Sequence, residues 1–341
     1  MRTGIFLAVA AAVLVSAPAA AEFEAPAPGP VPTAAALNTR PWDLSIRASI
    51  GRNNNAGLVP TRTTFPVDGN KSAIYYAVQL DGGYRFYESR MLVAGTAVSV
   101  SDFRYENKQE SDADSKFSGY DFYVVNPSVY LTYKLSVGGM PASITGSFDL
   151  RKENAPHGYD ALGLTGKNVR IAGSLQARPN LQFTGSVVRG RDDYEIVFPN
   201  PALNDRDATR TVVDLGARLW LKGIHNVTAG IGYIDNDAKG SNFKYHGSNQ
   251  RLRFETGILR PVWLAAEIKH GKLDYRGFVS PFVLPPGRTV QKVSTYALQA
   301  LWPVNRGWTV DFFFNHDKYD SNQPEFESAV KTYGAGVSYR F

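Results

Sequence analysis

The feature of this sequence that most restricts its fold is an alternation of apolar and polar residues with a period of two. In the stretch 42–50, the even positions are Trp, Leu, Ile, Ala and Ile, whereas the odd positions are Asp, Ser, Arg and Ser. Successive side chains of a β-strand point to opposite faces, so this stretch predicts a strand with one apolar and one polar face. Similar alternation appears in about fourteen segments, at 42–53, 72–86, 90–106, 120–137, 141–153, 167–178, 181–196, 209–221, 225–238, 248–260, 262–275, 292–303, 307–320 and 330–341.

The connections between these segments alternate between short and long. Tight links lie at 87–89, 138–140, 179–180, 222–224 and 305–306, and longer polar segments lie at 54–70, 107–119, 154–166, 197–208, 239–247, 276–291 and 321–329. This arrangement is typical of a transmembrane barrel with short periplasmic turns and long extracellular loops.

The length of the segments favours a membrane barrel over a soluble sandwich. Soluble sheets alternate too, but their strands usually have about five or six residues, and the segments here have about ten to sixteen. A bilayer core offers no water to backbone amides, so a sheet crosses it only when it is closed on itself. We therefore predict an all-β fold, a closed antiparallel transmembrane β-barrel of about fourteen strands.

The N-terminal region predicts export from the cytoplasm. Arg2 precedes an apolar run at 5–15 that is too short for a permanent membrane helix, and small residues at 19 and 21 suit cleavage before Glu22. We interpret 1–21 as a signal peptide, 22–39 as a Pro/Ala-rich periplasmic tether and 40–341 as the barrel. The predicted location is the outer membrane of a Gram-negative bacterium. The chain has no cysteine, which excludes disulfides and thiolate metal sites.

The last segment adds a second signal for an outer-membrane barrel. It places Tyr333, Ala335, Val337, Tyr339 and Phe341 on one face. This resembles the C-terminal targeting signal of outer-membrane proteins and implies recognition by the barrel assembly machinery. An ordinary final strand of a soluble sheet is the alternative. Aromatic residues near other strand ends fit interfacial girdles, namely Trp42, Tyr84, Phe86, Tyr133, Trp263, Trp302 and Trp308.

If the apolar face contacts lipid, the polar face lines a lumen. The candidate lumen residues are Asp43, Arg47, Asp81, Lys134, Asp149, Arg151, Arg170, Arg178, Asp214, Arg218, Arg251, Arg253, Glu255, Glu267, Lys269, Asp311 and Arg340. A barrel of this size has room for an aqueous path or for a plug of inward loops. The alternative is that these charges pair with one another and only fill the interior.

The charge pattern argues against nucleic acid as a partner. The net charge is +6, but the charged residues are scattered instead of forming a basic patch. Outer-membrane lipid and lipopolysaccharide are the expected surroundings, and the tether is a possible contact for a periplasmic partner.

One motif hints at catalysis. His246 and Ser248 are spaced as residues on one face of a strand, and outer-membrane phospholipases use a His and a Ser at this spacing. However, we predict His246 at the end of a long loop, and no orienting acid is evident. The histidines form no close cluster with acids, so we predict no metal site and no cofactor.

Both ends of the predicted barrel resemble a known family. The opening strand and Asn-rich loop at 42–55, and the closing segments 319–324 and 333–341, are similar to the β-barrel region of the surface lipoprotein assembly modifiers. That resemblance implies a barrel of about fourteen strands that exports or translocates a lipoprotein or polymer. The helical-repeat domain that precedes the barrel in that family has no counterpart in 22–39, so a separate periplasmic protein would have to bind the cargo. A passive porin-like channel and a lipid-modifying enzyme are the alternatives.

Overall fold

The computed structural model describes residues 40–54, 72–106, 121–154, 163–195, 200–279, 288–322 and 327–341. The predicted signal peptide and tether lie outside the described residues. The strands are β1 (Trp42–Asn53), β2 (Ala73–Glu88), β3 (Leu92–Tyr105), β4 (Phe122–Val137), β5 (Met140–Asn154), β6 (Leu164–Arg178), β7 (Leu181–Tyr194), β8 (Ala208–Leu221), β9 (His225–Ala238), β10 (Tyr245–Leu259), β11 (Val262–Val279), β12 (Arg288–Pro303), β13 (Trp308–Ser321) and β14 (Ser328–Arg340). Within the described residues, two short helical segments also occur: α1 (Pro201–Asn204) and the 3-10 turn η1 (Ser241–Phe243).

The fourteen strands form one closed antiparallel barrel, as predicted. Each strand pairs with its neighbours in sequence, and β1 closes the ring by pairing with β14 from Ser45 opposite Arg340 to Asn53 opposite Thr332. Because the ring is closed, the sheet has no edge with unsatisfied backbone groups. The strands are joined by short turns at one end of the barrel and by longer connections at the other. We call these the short-turn end and the long-loop end.

The outer face of the barrel carries a belt of exposed apolar side chains. Ile46 is 40% exposed, Val169 54%, Ile171 60%, Leu252 53% and Phe312 55%. A soluble protein rarely exposes a contiguous apolar surface of this extent, whereas a bilayer makes such exposure favourable. No helix within the described ranges has the length and apolar character needed to cross a membrane.

Aromatic residues gather on the outer face at the short-turn end. Six of the seven predicted girdle residues are exposed there, namely Trp42, Tyr84, Phe86, Tyr133, Trp302 and Trp308. The prediction for Trp263 was wrong. Trp263 shares the inner face with Ala265 and Glu267, and a Cβ on Gly257 would lie 3.0 Å from its ring. The prediction relied on closeness to a strand end, whereas the parity of the residue decides its face.

The strand boundaries agree with the sequence to within a few residues, and the largest differences lie at the long-loop end. β6, β10 and β12 begin earlier than predicted, and β11 ends later. His246 therefore lies within β10 and not in a loop, opposite Asp274 of β11. Glycines at 166 and 247 interrupted the apolar pattern in these extensions and hid them from the sequence analysis.

A charged clip holds the closure of the barrel from inside. Arg47 of β1 donates to Asp311 of β13 through Nε at 3.1 Å and Nη2 at 2.5 Å. The pair spans β14 at Gly336, where a Cβ would lie 2.7 Å from the Asp311 carboxylate and 3.2 Å from the guanidinium. Glycine at this position therefore leaves space for a bidentate ion pair that joins three strands.

We expect Asp311→Ala to lower the free energy of unfolding by about 2 kcal/mol, because the ion pair with the buried Asp311 carboxylate is lost and Arg47 is left without its acceptor. Urea unfolding followed by tryptophan fluorescence measures this change. Asp320→Ala is the matched control, since Asp320 pairs with Lys318 on the exposed outer face and such pairs contribute less than about 1 kcal/mol. Equal effects of the two substitutions would contradict the role of the clip.

Candidate functional site

The inner face of the barrel carries the predicted lumen residues. The residues that lie in its rows are Asp43, Arg47, Asp81, Lys134, Asp149, Arg151, Arg170, Asp214, Arg218, Arg251, Arg253, Glu255, Glu267, Lys269, Asp311 and Arg340. Arg178 differs, because a bulge between Gln176 and Arg178 shifts it out of the inner row to a position opposite Leu181. A role of these residues in passage of a solute stays a prediction.

Many of the inner charges form cross-strand networks. Arg253 donates to Glu255 at 2.8 Å and to Glu267 at 3.4 Å, and Arg218 donates to Glu255 from the other side at 3.4 Å. Lys269 lies 3.1 Å from Glu267. These contacts extend from β8 to β11 and fix the positions of the carboxylates along this wall.

Further pairs occur towards both ends of the lumen. Arg340 donates to Asp43 at 2.7 Å at the short-turn end, and Asn168 donates to Asp149 at 2.8 Å. Arg151 pairs with Glu153. The alternative noted above, that the charges pair and fill the interior, therefore applies to much of the wall.

Sequence analysis missed an inner pair near the long-loop end. Arg210 of β8 lies 3.6 Å from Asp192 of β7, and these residues are 8% and 1% exposed. Both positions share the parity of inner-face residues on the same strands, namely Val188 on β7 and the predicted lumen residue Asp214 on β8. Extending the period-two pattern to the strand ends would have identified them.

Three charges near the middle of the lumen remain outside these networks. Arg170, Asp214 and Arg251, which we call the central charges, form no ion pair or side-chain hydrogen bond with any described residue. All three are partly exposed. Arg170 and Arg251 are close enough to Asp214 to interact with its carboxylate electrostatically, so the three charges compensate one another without direct contact.

On β2–β4 and β9–β14, the inner face becomes mainly apolar towards the long-loop end. We call this section the apolar collar, and it comprises Tyr75, Phe103, Phe122, Ile234, Tyr245, Leu273, Tyr275, Val293, Tyr319 and Val330. The rings of Tyr75 and Phe103 stack at 4.5 Å, and those of Phe103 and Phe122 at 5.3 Å. Tyr75 lies so close to Gly51 that a Cβ there would come within 2.6 Å of its ring.

The apolar collar is tightly buried on the β9–β11 side. Leu273 is 0% exposed, Tyr275 3% and Ile234 3%. On the same strand, the outer-face neighbours of Leu273 are Lys272 and Asp274. The alternation of the membrane belt is thus inverted here, with apolar residues inside and charged residues outside, as in a soluble barrel.

Part of the long-loop end folds inward over the collar. Asn236, on the inner face, donates to the carbonyl of Phe243 at 2.9 Å, which holds η1 on the lumen side. Arg206 lies 4.0 Å from the ring centre of Tyr194 and 5.8 Å from that of Phe243. The described parts of two connections therefore pack together across one side of this opening.

An ion pair joins these two connections. Lys239 donates to Asp207 at 2.8 Å, and the amide of Tyr194 donates to the same carboxylate at 2.8 Å. Partial burial raises the pKa of Asp207, but these hydrogen bonds outweigh it and hold the pKa below its usual range. The same hydrogen bond raises the pKa of Lys239.

We expect this contact to weaken in acid. Because the pKa of Asp207 is lowered on folding, its contribution is complete above the ordinary carboxyl pKa of about 4 and is lost as the pH falls through the lowered value. Hydrogen exchange, corrected for intrinsic rates, should show less protection at 205–210 and 239–244 at pH 3 than at pH 6. Asp207→Asn should show low protection at both values, and retention of full protection by this variant would refute the assignment.

For the catalytic hypothesis, the structure places an acidic residue near His246 that sequence analysis missed. It also places an arginine in contact with the same imidazole. His246 and Ser248 lie on the outer face of β10, and Nε2 of His246 lies 4.0 Å from Asp274. Arg276 donates from Nε to Nδ1 of His246 at 3.4 Å and pairs with Asp235 at 2.6 Å. His246 makes no hydrogen bond to Ser248 within the described part of the chain. In those same ranges, no three His, Cys, Asp or Glu side chains are grouped as metal ligands.

Comparison with known proteins supports the fold. No protein-family model matches the sequence, and no curated protein matches it. Among solved structures, a deltaS2 mutant of the TodX monoaromatic hydrocarbon channel is similar, with a TM-score of 0.50 and 10% identity over 88% of this chain and 90% of that chain. This similarity shows the shared barrel fold alone.

Two further solved structures have TM-scores below 0.5. The outer membrane channel DcaP of Acinetobacter baumannii has a TM-score of 0.48 and 12% identity, over 88% of this chain and 96% of that chain. OmpT, an outer membrane protein of Vibrio cholerae, has a TM-score of 0.47 and 9% identity, over 88% of this chain and 99% of that chain.

Proposed function

We propose that this protein is an outer-membrane channel through which small polar or charged solutes cross the barrel lumen. The observation that carries the proposal is the set of central charges, Arg170, Asp214 and Arg251, which are partly exposed and form no direct ion pair or side-chain hydrogen bond with any described residue. A hydrated section with fixed charges is what a diffusing solute requires. A lumen that served only as structural filling would be expected to pair them.

The outer face supports the membrane part of this proposal. The apolar belt suits the hydrocarbon core, and the aromatic residues of the short-turn end suit an interface. In this orientation the short-turn end faces the periplasm and the long-loop end faces the outside. Cleavage after residue 21 delivers the chain to the periplasm, and the assembly machinery recognises the outer face of β14, with Tyr333, Val337, Tyr339 and Phe341.

The apolar collar makes this a narrow channel. A barrel of fourteen strands lies between small barrels that side chains fill and larger porins with a wide aqueous path. Buried residues such as Leu273 and Tyr275, together with the inward turn η1, further reduce the opening at the outer end. Single-channel recordings in planar bilayers should therefore show steady but small ohmic conductance.

We expect the central charges to set ion selectivity. Arg170→Gln combined with Arg251→Gln should raise the cation-to-anion permeability ratio about two- to fivefold, because a unit charge in a water-filled lumen contributes about 1 kcal/mol at contact distance. Reversal potentials in a salt gradient measure this ratio.

The matched control removes two cations from the outer face, through Lys292→Gln combined with Lys331→Gln. It should leave the permeability ratio of the native channel unchanged, since these side chains do not face the lumen. The proposal fails if the native barrel conducts nothing, or if both double variants shift the ratio equally.

Export of a lipoprotein or polymer is the second candidate. The segments that resemble the surface lipoprotein assembly modifiers form β1 and the β13–β14 hairpin, which are adjacent at the closure of the barrel. Deleting residues 22–39 should abolish surface delivery of a cargo while leaving the conductance of a diffusion channel unaltered. Export assays and conductance recordings on the same deletion variant separate the two candidates.

A further inference from the structure

The outer face changes from apolar to basic above the membrane belt on three adjacent strands. The outward side chains of Lys152 on β5, Lys167 on β6, and Arg189 and Arg191 on β7 lie near one another and are all exposed. We call these four residues the basic patch. The outward residues directly below Lys167 on β6 are Val169 and Ile171, which are 54% and 60% exposed.

The strand register concentrates the charge of the basic patch. Lys167 lies directly opposite Arg191, and Arg189 lies opposite Val169, one outward position lower. Lys152 lies opposite Thr165, the outward neighbour of Lys167. Like charges in directly opposite positions destabilise a sheet, so an anion bound here would relieve the repulsion.

Among the described residues, few acidic side chains pair with the basic patch. Asp193 accepts a hydrogen bond from Arg191 at 2.9 Å, but both partners are largely exposed, at 64% and 40% of their side chains for Arg191 and Asp193. Lys152, Lys167 and Arg189 form no ion pair with any described residue. Elsewhere on the outer face, Arg104 pairs with Asp102 at 2.8 Å and Lys318 pairs with Asp320 at 2.8 Å.

A second pair of directly opposite like charges occurs on other strands of the barrel. Lys272 of β11 lies directly opposite Lys292 of β12, and both are exposed on the outer face. This second like-charge pair also lies above apolar outward residues, Ile268 and Tyr296. Lys292 also lies opposite Asp320 of β13, so this second pair has an acidic neighbour that the basic patch lacks in the directly opposite positions.

We propose that the basic patch binds the phosphate groups of an anionic phosphorylated lipid in the outer leaflet. The proposal rests on the membrane location proposed above, but not on conduction. Arginine forks and lysine ammonium groups suit phosphate oxygens. The exposed apolar side chains of Val169, Ile171 and Val187 lie below the patch, where acyl chains of the same lipid would pack. A soluble anion would gain nothing from this apolar surface.

The test uses the full mature chain purified in detergent, with lipid A and dephosphorylated lipid A as probes in native mass spectrometry. Lys167→Gln combined with Arg191→Gln should reduce lipid A occupancy about tenfold or more, because each cation near an anionic lipid surface contributes about a factor of five. The control double variant, Arg104→Gln with Lys318→Gln, removes two outward cations that already have acidic partners. It should retain native occupancy.

Several outcomes would overturn the proposal: equal binding of the dephosphorylated lipid, equal loss in the control variant, or complete displacement of lipid A by inorganic phosphate. The last result would indicate a site for free phosphate instead of lipid. Heat-modifiable gel mobility verifies that each variant is folded. Conductance recorded on the same preparations tests the channel separately, so a barrel that binds lipid A but does not conduct would refute only the channel.

Discussion

The pairing of backbone groups around a closed ring of strands is the constraint on which the rest of this structure depends. A bilayer leaves no alternative acceptor for an unpaired amide, so β1 must pair with β14 as well as with β2. Once the ring is closed, every residue faces either the lumen or the surroundings. The Arg47–Asp311 clip reinforces this closure from inside, and glycine at position 336 makes room for it.

Closure also explains why so much of the fold was predictable from the sequence. Each face of a strand meets one environment over a long distance, so the alternation at 42–50 and its repeats record the strand count directly. The same parity placed Arg170 and Asp214 on the inner face. Parity also places Trp263 on the inner face. The prediction that Trp263 belongs to the outer girdle was wrong because it considered only how near the residue lies to a strand end.

The ion-pair partners in the lumen and the apolar collar could not be predicted from the alternation alone. The register between β10 and β11 decides which carboxylate of β11 lies beside Arg253. Neither strand carries a local sequence signal for that register. The apolar collar was missed for a different reason. Near Leu273 the strand leaves the membrane belt and the polarity of its faces inverts, so a rule that equates apolar with outward assigns these residues to the wrong side.

In the proposed channel, the inversion divides the path of a solute into two unlike environments. At the outer end, the inner face of β9–β14 presents rings and aliphatic side chains, whereas the Arg210–Asp192 pair lies on the β7–β8 side. The central charges lie deeper in the lumen. Discrimination between solutes therefore depends on how readily each one sheds water at the entrance, so that two ions of equal size and charge but unequal hydration energy are expected to cross at different rates.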